Sequence, residues 1–191
     1  VVREAMRLGV VKFIVPGVRN LAPDHQLRIC SQWPGSLYPA FGLHPLHANA
    51  YMTLDESAFE AAFRSAAGDF VAVGETGLDG RFAETLPQQN RLFALHLRLA
   101  LREGLPLIIH AVHAHQRVLD MVADAPSCRG VIHGFSGSVE LAMQYVRKGF
   151  SLGVGGIVTH PAALKTHRAL AAVPVESLVL ETDSPAMAPA G

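Results

Sequence analysis

Leu107-Ile-Ile-His110 is a short apolar run that ends in a side chain able to bind a metal. The same pattern occurs in Val71-Ala-Val-Gly-Glu75, Val131-Ile-His133 and Leu178-Val-Leu-Glu-Thr-Asp183. A parallel strand buried on both faces reads as a continuous hydrophobic run, and ligands of such sheets gather beyond the strands' carboxyl ends. Glu75, His110, His133 and Asp183 are therefore expected to converge. Two carboxylates and two imidazoles in one place make a divalent-metal site.

Outward from these runs, strand-like segments are expected at 13–18, 37–43, 70–74, 105–110, 130–133, 150–154 and 178–181. Amphipathic segments of helical length lie between most of them, such as 87–103, with apolar Leu92, Leu95, Leu99 and Leu101, and 139–148, with Leu141, Met143 and Val146. Pro87 stands where a first helical turn tolerates it, Gly104 follows the last turn, and Ser138 is a good N-cap for the next helix. Successive strand ends fall roughly 22 to 35 residues apart, the spacing of repeated βαβ units with right-handed crossovers. This predicts an α/β fold, either an open doubly wound sheet or a TIM (β/α)8 barrel. The barrel is favoured because candidate ligands end four different strands, whereas a doubly wound sheet serves one switch point. A barrel typically takes about 250 residues. The reading of residues 1–191 is accordingly one incomplete barrel domain, with strand 1 and the last helix missing.

The chain has 16 basic and 16 acidic residues, so no global field attracts a polyanion, and contact with nucleic acid needs a local arrangement of groups. Apolar residues make up 50% of it, enough for a substantial core, and no run approaches membrane-spanning length. Cys30 and Cys128 form no CxxC motif and read as buried thiols of a cytoplasmic protein. No obligate protein partner is evident. There is no P-loop, GxGxxG or GxSxG motif, and neither cysteine adjoins a strand-end histidine, which argues against nucleotide-fold and Ser or Cys hydrolase chemistry.

Each candidate has a structural alternative. Glu75, between Gly74 and Gly77, can bridge two metals or pair with a basic side chain. A single histidine on an apolar strand is commonly a satisfied core residue, but His110 and His133 occupy equivalent positions. Asp183 can bind metal and take a proton from water, or form an Asx turn before Pro185. Glu181 is expected on the opposite face, and Asp79 is expected to brace its loop. His44, in Gly-Leu-His-Pro, ends a further strand and reads equally as a substrate contact or a turn residue. His113 and Ser136 lie near the same rim as possible substrate contacts, with His115 and His160 behind them. His25, His47, His96 and His167 read as surface or packing residues.

Taken together, Gly-Leu-His44-Pro, Val-Gly-Glu75-Thr-Gly-Leu-Asp79, Ile-Ile-His110, His133-Gly-Phe-Ser-Gly137 and Leu-Glu-Thr-Asp183-Ser-Pro185 resemble, in order and spacing, the TatD family of metal-dependent hydrolases. Gly153-Val-Gly-Gly156 and the ending from Asp183 to Pro189 are most similar to a bacterial branch of it. The resemblance implies a TIM-barrel deoxyribonuclease or exonuclease that acts on nucleic-acid (DNA) ends with one or two divalent ions, Mg, Mn or Zn. It implies that Glu75 bridges or ligates the metals, that His110 and His133 bind the second, and that Asp183 binds the first and acts on the water. By the same resemblance His44 contacts a substrate phosphate. The family's opening His-x-His on strand 1 has no counterpart here, which would cost one metal two ligands. Val112 stands where the family often has a basic residue. Two alternatives stay open: hydrolysis of a small-molecule or aminoacyl-tRNA ester or amide, and an inactive barrel fragment.

Overall fold

The computed structural model describes residues 1–66, 70–184, 187 and 189–190. Seven strands form a single parallel sheet: β1 (Phe13–Val15), β2 (Leu37–Phe41), β3 (Ala72–Asp79), β4 (Leu107–Val112), β5 (Gly130–His133), β6 (Phe150–Val154) and β7 (Leu178–Leu180). Their order in the sheet is their order in the sequence. A doubly wound sheet must reverse its strand order at a switch point, so this uniform progression has the topology of a barrel wall. The α-helices are α1 (Val2–Arg7), before β1, and, between strands, α2 (Asp24–Ser31), α3 (Glu56–Arg64), α4 (Leu86–Glu103), α5 (His115–Ala123), α6 (Val139–Arg147) and α7 (Leu164–Ala171). Among the described residues no helix is long and apolar enough to cross a membrane.

The pleat divides the strands' side chains into two sets. Phe41, Val73, Leu107, Ile109, Ile132 and Leu152 pack with helix residues such as Phe59, Phe93, Leu99, Val118 and Tyr145 in one large core. Ala40, Ala72 and Ile108, with Val131 against them, form a small separate layer on the other face, the face a barrel encloses. His110 and His133 follow Ile108 and Val131 by two residues and are partners in the β4–β5 ladder. Both imidazoles therefore stand on the inner face, one layer nearer its mouth.

The helix boundaries agree with their sequence signals. Gly104 caps α4 in the left-handed conformation at φ 65°, and the Ser138 hydroxyl accepts from the Leu141 amide at the start of α6. Cys30 and Cys128 are free and buried. The two largest departures from the expected boundaries are in the first and third strands. The first strand stops at Val15 rather than at residue 18. The third does not stop near Glu75 but runs to Asp79, because β4 extends to Val112 and supplies partners up to Asp79↔Val112. Glu75 is thus inside a strand, at a bulge between Gly74 and Thr76. A bulge re-aims a side chain without ending the strand.

The strand ends around that bulge are held very close. The Gly17 amide donates to Gly74 O at 2.9 Å, and the Glu75 amide donates to Gly17 O at 2.8 Å. Between them lies Gly42, where an added Cβ would sit 2.5 Å from Gly74 O and 2.7 Å from the Glu75 nitrogen. Only a residue without a side chain fits at that crossing.

His96 is a packing residue, as the sequence suggests, but a polar one. It is wholly buried on α4, where its Nδ1 donates to Leu92 O at 2.7 Å and its Nε2 accepts from the Leu43 amide at 3.0 Å, anchoring the chain just before His44. Burial pushes its pKa down from 6.5 to about 4, against a smaller upward pull from the Leu92 carbonyl. Below pH 6.5 the unfolded chain takes up a proton that the folded chain refuses until about pH 4, so the stability His96 contributes is complete above 6.5 and lost through that window. In urea titrations the stability gap between wild type and His96→Gln is expected to narrow by about 3 kcal/mol between pH 7 and pH 4. A gap independent of pH would contradict this account.

Candidate metal centre

Six side chains that can ligate a metal gather in two groups of three, His44 with Glu75 and His110, and His133 with Glu181 and Asp183; within each group the ligand atoms lie within 4.8 Å of one another. The four residues singled out from the strand runs are thus divided, two to each group. His44 and Glu181 complete them.

The first group is the deeper, its side chains 10–13% exposed. His110 Nδ1 lies 3.1 Å from Glu75 Oε1, His44 Nε2 lies 3.3 Å from the same oxygen, and the two nitrogens are 3.2 Å apart. Ligands about 2.0–2.1 Å from a tetrahedral ion stand about 3.3–3.4 Å from one another, so the spacing suits a small divalent ion. His44 differs from its neighbours in one respect. Its Nδ1 accepts from the Leu46 amide at 3.2 Å, at the start of the 3-10 turn Pro45–Tyr51, so in the neutral ring Nε2 carries the hydrogen and donates. Glu75 and His110 are the members of this group that would hold an ion, which would take the place of the hydrogen that His110 Nδ1 gives to Glu75. Burial pushes the Glu75 carboxyl upward, but hydrogen bonds from His110 and then His44, with the charge of His133, outweigh it and hold the acid well below the ordinary range. Glu75 is an anion in a nearly dry setting.

The second group is closer to solvent, with Asp183 36% exposed in its side chain. His133 Nε2 is 2.6 Å from Asp183 Oδ1, and His133 Nδ1 pairs with Glu181, whose other contact is the Gly134 amide at 3.3 Å. Burial alone would lower the His133 pKa, but the Glu181 hydrogen bond, followed by the charges of Glu75, Glu181 and Asp183, raises it to about 9. The expectation that Glu181 turns to the other face is overturned. Residues two apart on an extended segment share a face, so Glu181 and Asp183 flank one imidazole. Pro185 lies outside the described residues.

Asp79 braces its loop, as expected, and also reaches the site. It is fully buried; Arg81 binds it through Nε at 2.9 Å, Nη2 at 2.6 Å and the backbone amide at 3.1 Å, and His110 Nε2 approaches its Oδ2 at 3.0 Å. Burial raises its pKa, but the Arg81 side chain and then His110 bring it down to about 2. The rim residues are less engaged. His113 is exposed at φ 51°, and Ser136 is exposed with its hydroxyl 3.3 Å from Thr166 Oγ1. His115 turns away to Tyr145, 3.0 Å from its hydroxyl, and His160 is exposed.

Comparison with known proteins identifies the family. The family model described as TatD related DNase matches residues 1–191. A protein of Escherichia coli K12 named as the uncharacterised metal-dependent hydrolase YjjV is 36% identical over 189 residues, 97% of this chain and 72% of its own. The 3'-5' ssDNA/RNA exonuclease TatD of Pantoea vagans is 31% identical over 193 residues, 99% of this chain and 74% of its own. The crystal structure of E. coli YjjV, a TatD homologue, superimposes with a TM-score of 0.88 at 34% identity, covering 99% of this chain and 73% of that one. A TatD-family hydrolase from Entamoeba histolytica, at 21% identity and TM-score 0.79, covers 95% of this chain and 63% of that one and shares the fold. The seven-stranded wall and its paired acid–imidazole groups thus belong to a member of the TatD-related DNase family of metal-dependent hydrolases.

Proposed function

We propose that this chain is a divalent-metal-dependent phosphodiesterase that trims nucleic-acid ends. The observation that carries the reading is the pair of acid–imidazole groups gathered toward the carboxyl ends of the sheet's strands, in a family with relatives named as ssDNA/RNA exonucleases. Glu75 and His110 would hold one ion and His133 and Asp183 another, and the charges of Glu75 and His133 act on one another across the two groups. Divalent ions in these positions supply Lewis acidity and lower the pKa of water. Asp183, the most exposed acid of the six, takes the proton of the attacking water at its carboxylate. His44, fixed as a donor by Leu46, hydrogen-bonds a phosphoryl oxygen through Nε2. His113 and Ser136, both exposed, would contact the rest of the nucleic-acid strand. Imidazole ligands favour Mn or Zn over Mg.

Incubating the protein with end-labelled single-stranded DNA and Mg, Mn or Zn, against an EDTA control, tests the reading. Stepwise shortening that needs an ion and disappears with EDTA is expected, greatest with Mn. The balanced charge of the chain favours one other substrate class, a compact ester such as an aminoacyl ester, which needs no broad basic groove. Ester turnover with no DNA shortening under any ion would replace the nuclease reading with that one.

A further inference from the structure

We propose that Phe82 is the platform on which a base of a single-stranded substrate end stacks, and that it makes the site selective for unpaired strands. The proposal rests on the reading of the chain as a nuclease and adds a substrate contact outside the six side chains of the two groups.

The chain holds 9 Phe, 3 Tyr and 1 Trp, and among the described residues Phe82 is the one aromatic side chain that is exposed, at 39%. Phe135, on the loop that follows His133, is buried against Tyr145 and His115. An isolated apolar residue on a surface needs no special account. Phe82 is set apart by its position and its fixed backbone.

It stands three residues beyond Asp79, past the carboxyl end of β3. The Arg81 guanidinium lies 5.8 Å from the Phe82 ring centre and binds Asp79, whose Oδ2 is 3.0 Å from His110 Nε2. Two side chains thus connect the ring to a candidate ligand. His113 crowds the same loop at Gly80, where an added Cβ would sit 2.6 Å from His113 O and 3.2 Å from His113 Cβ. The loop is held at each residue. The Gly80 amide donates to Val112 O at 2.7 Å, the Arg81 amide to Asp79 Oδ1 at 3.1 Å and the Phe82 amide to Asp79 O at 3.2 Å. Phe82 O accepts from the Thr85 amide and hydroxyl, both at 3.0 Å. A ring presented on a fixed backbone loses little entropy when it binds.

Every base has a π face, and stacking on an aromatic ring is worth about 1–3 kcal/mol per base. The chain has 16 basic and 16 acidic residues, and Asp79 already balances the Arg81 charge, so counterion release supplies little affinity and stacking must supply more. In a duplex each base is already stacked and paired, and extracting it costs on the order of a few kcal/mol. An unpaired end offers its base without that cost.

The test is fluorescence anisotropy of the Mn-loaded protein with labelled oligonucleotides whose terminal linkages are phosphorothioates, which resist shortening. Phe82→Ala is expected to bind a single strand about 5- to 100-fold more weakly than wild type, and Phe82→Trp to keep the wild-type affinity. A strand with abasic sugars at its terminal positions is expected to bind wild type as weakly as the intact strand binds Phe82→Ala, and the two losses should not add. A ring that only supported its loop would weaken both strands equally. Equal affinity of a folded Phe82→Ala and wild type for the intact strand, an equal loss with intact and abasic strands, or a blunt duplex bound as tightly as the single strand overturns the proposal. The functional reading fails separately: a protein that binds through Phe82 yet shortens no DNA with any ion keeps the platform and loses the phosphodiesterase assignment.

Discussion

Glu75→Gln is expected to lower turnover of single-stranded DNA by about 10³-fold or more, equivalent to about 4 kcal/mol of barrier, while leaving the fold intact. The substitution keeps size and shape and removes one charge. In the native site that charge is buried, accepts from His110 and His44, and sits in the field of His133. A neutral amide satisfies hydrogen bonds but is a poor ligand for a hard cation and cannot hold two ions against their mutual repulsion. Stability is expected to fall modestly, because the folded site favours the charged Glu75 carboxyl and an amide loses that interaction. Activity and melting temperature measured on the same preparation separate the two effects. Activity within tenfold of wild type would remove Glu75 from the centre of the mechanism.

Gly42→Ala is expected to damage fold and activity together. The new methyl would press against Gly74 O and the Glu75 nitrogen, which are backbone atoms with no side-chain rotation to relieve the contact. Overpacking in a rigid setting costs about 3 kcal/mol. The strain falls on the two hydrogen bonds that seat the Glu75 bulge against Gly17, so the carboxylate would shift. A displacement of about 1 Å in a positioned group is enough to cost about 10²-fold in rate. Urea midpoints and activity should both fall; a variant as stable and as active as wild type would show that the crossing tolerates a side chain.

The fold was readable in the sequence because its strands are short, apolar and punctuated. Gly104 and Ser138 mark helix ends by local chemistry that tertiary contacts do not override. The extent of β3 was not readable, because Thr76 to Asp79 are strand only by virtue of partners on β4. The pairing of His44 with Glu75 depends on how far the sheet curls and on a turn locked by Leu46, neither of which leaves a periodic trace. Two other residues had a signal. Glu181 stands two from Asp183, and His96 lies four after Leu92 and three before Leu99, on the buried stripe of α4. Spacing alone could have placed both.

The strand order has a further meaning for a chain emerging from the ribosome. Every sheet neighbour is the next strand in sequence, so pairing can advance from the amino end without waiting for distant segments. His44, Glu75 and His110 are all synthesised once β4 is complete at Val112, whereas the second group lacks its acids until residues 181–183 are made. The residues of the deeper, more sheltered half of the centre are therefore the first to be made. About 70 more residues, several seconds of synthesis at about 5–20 residues per second, separate the two halves of the centre in time.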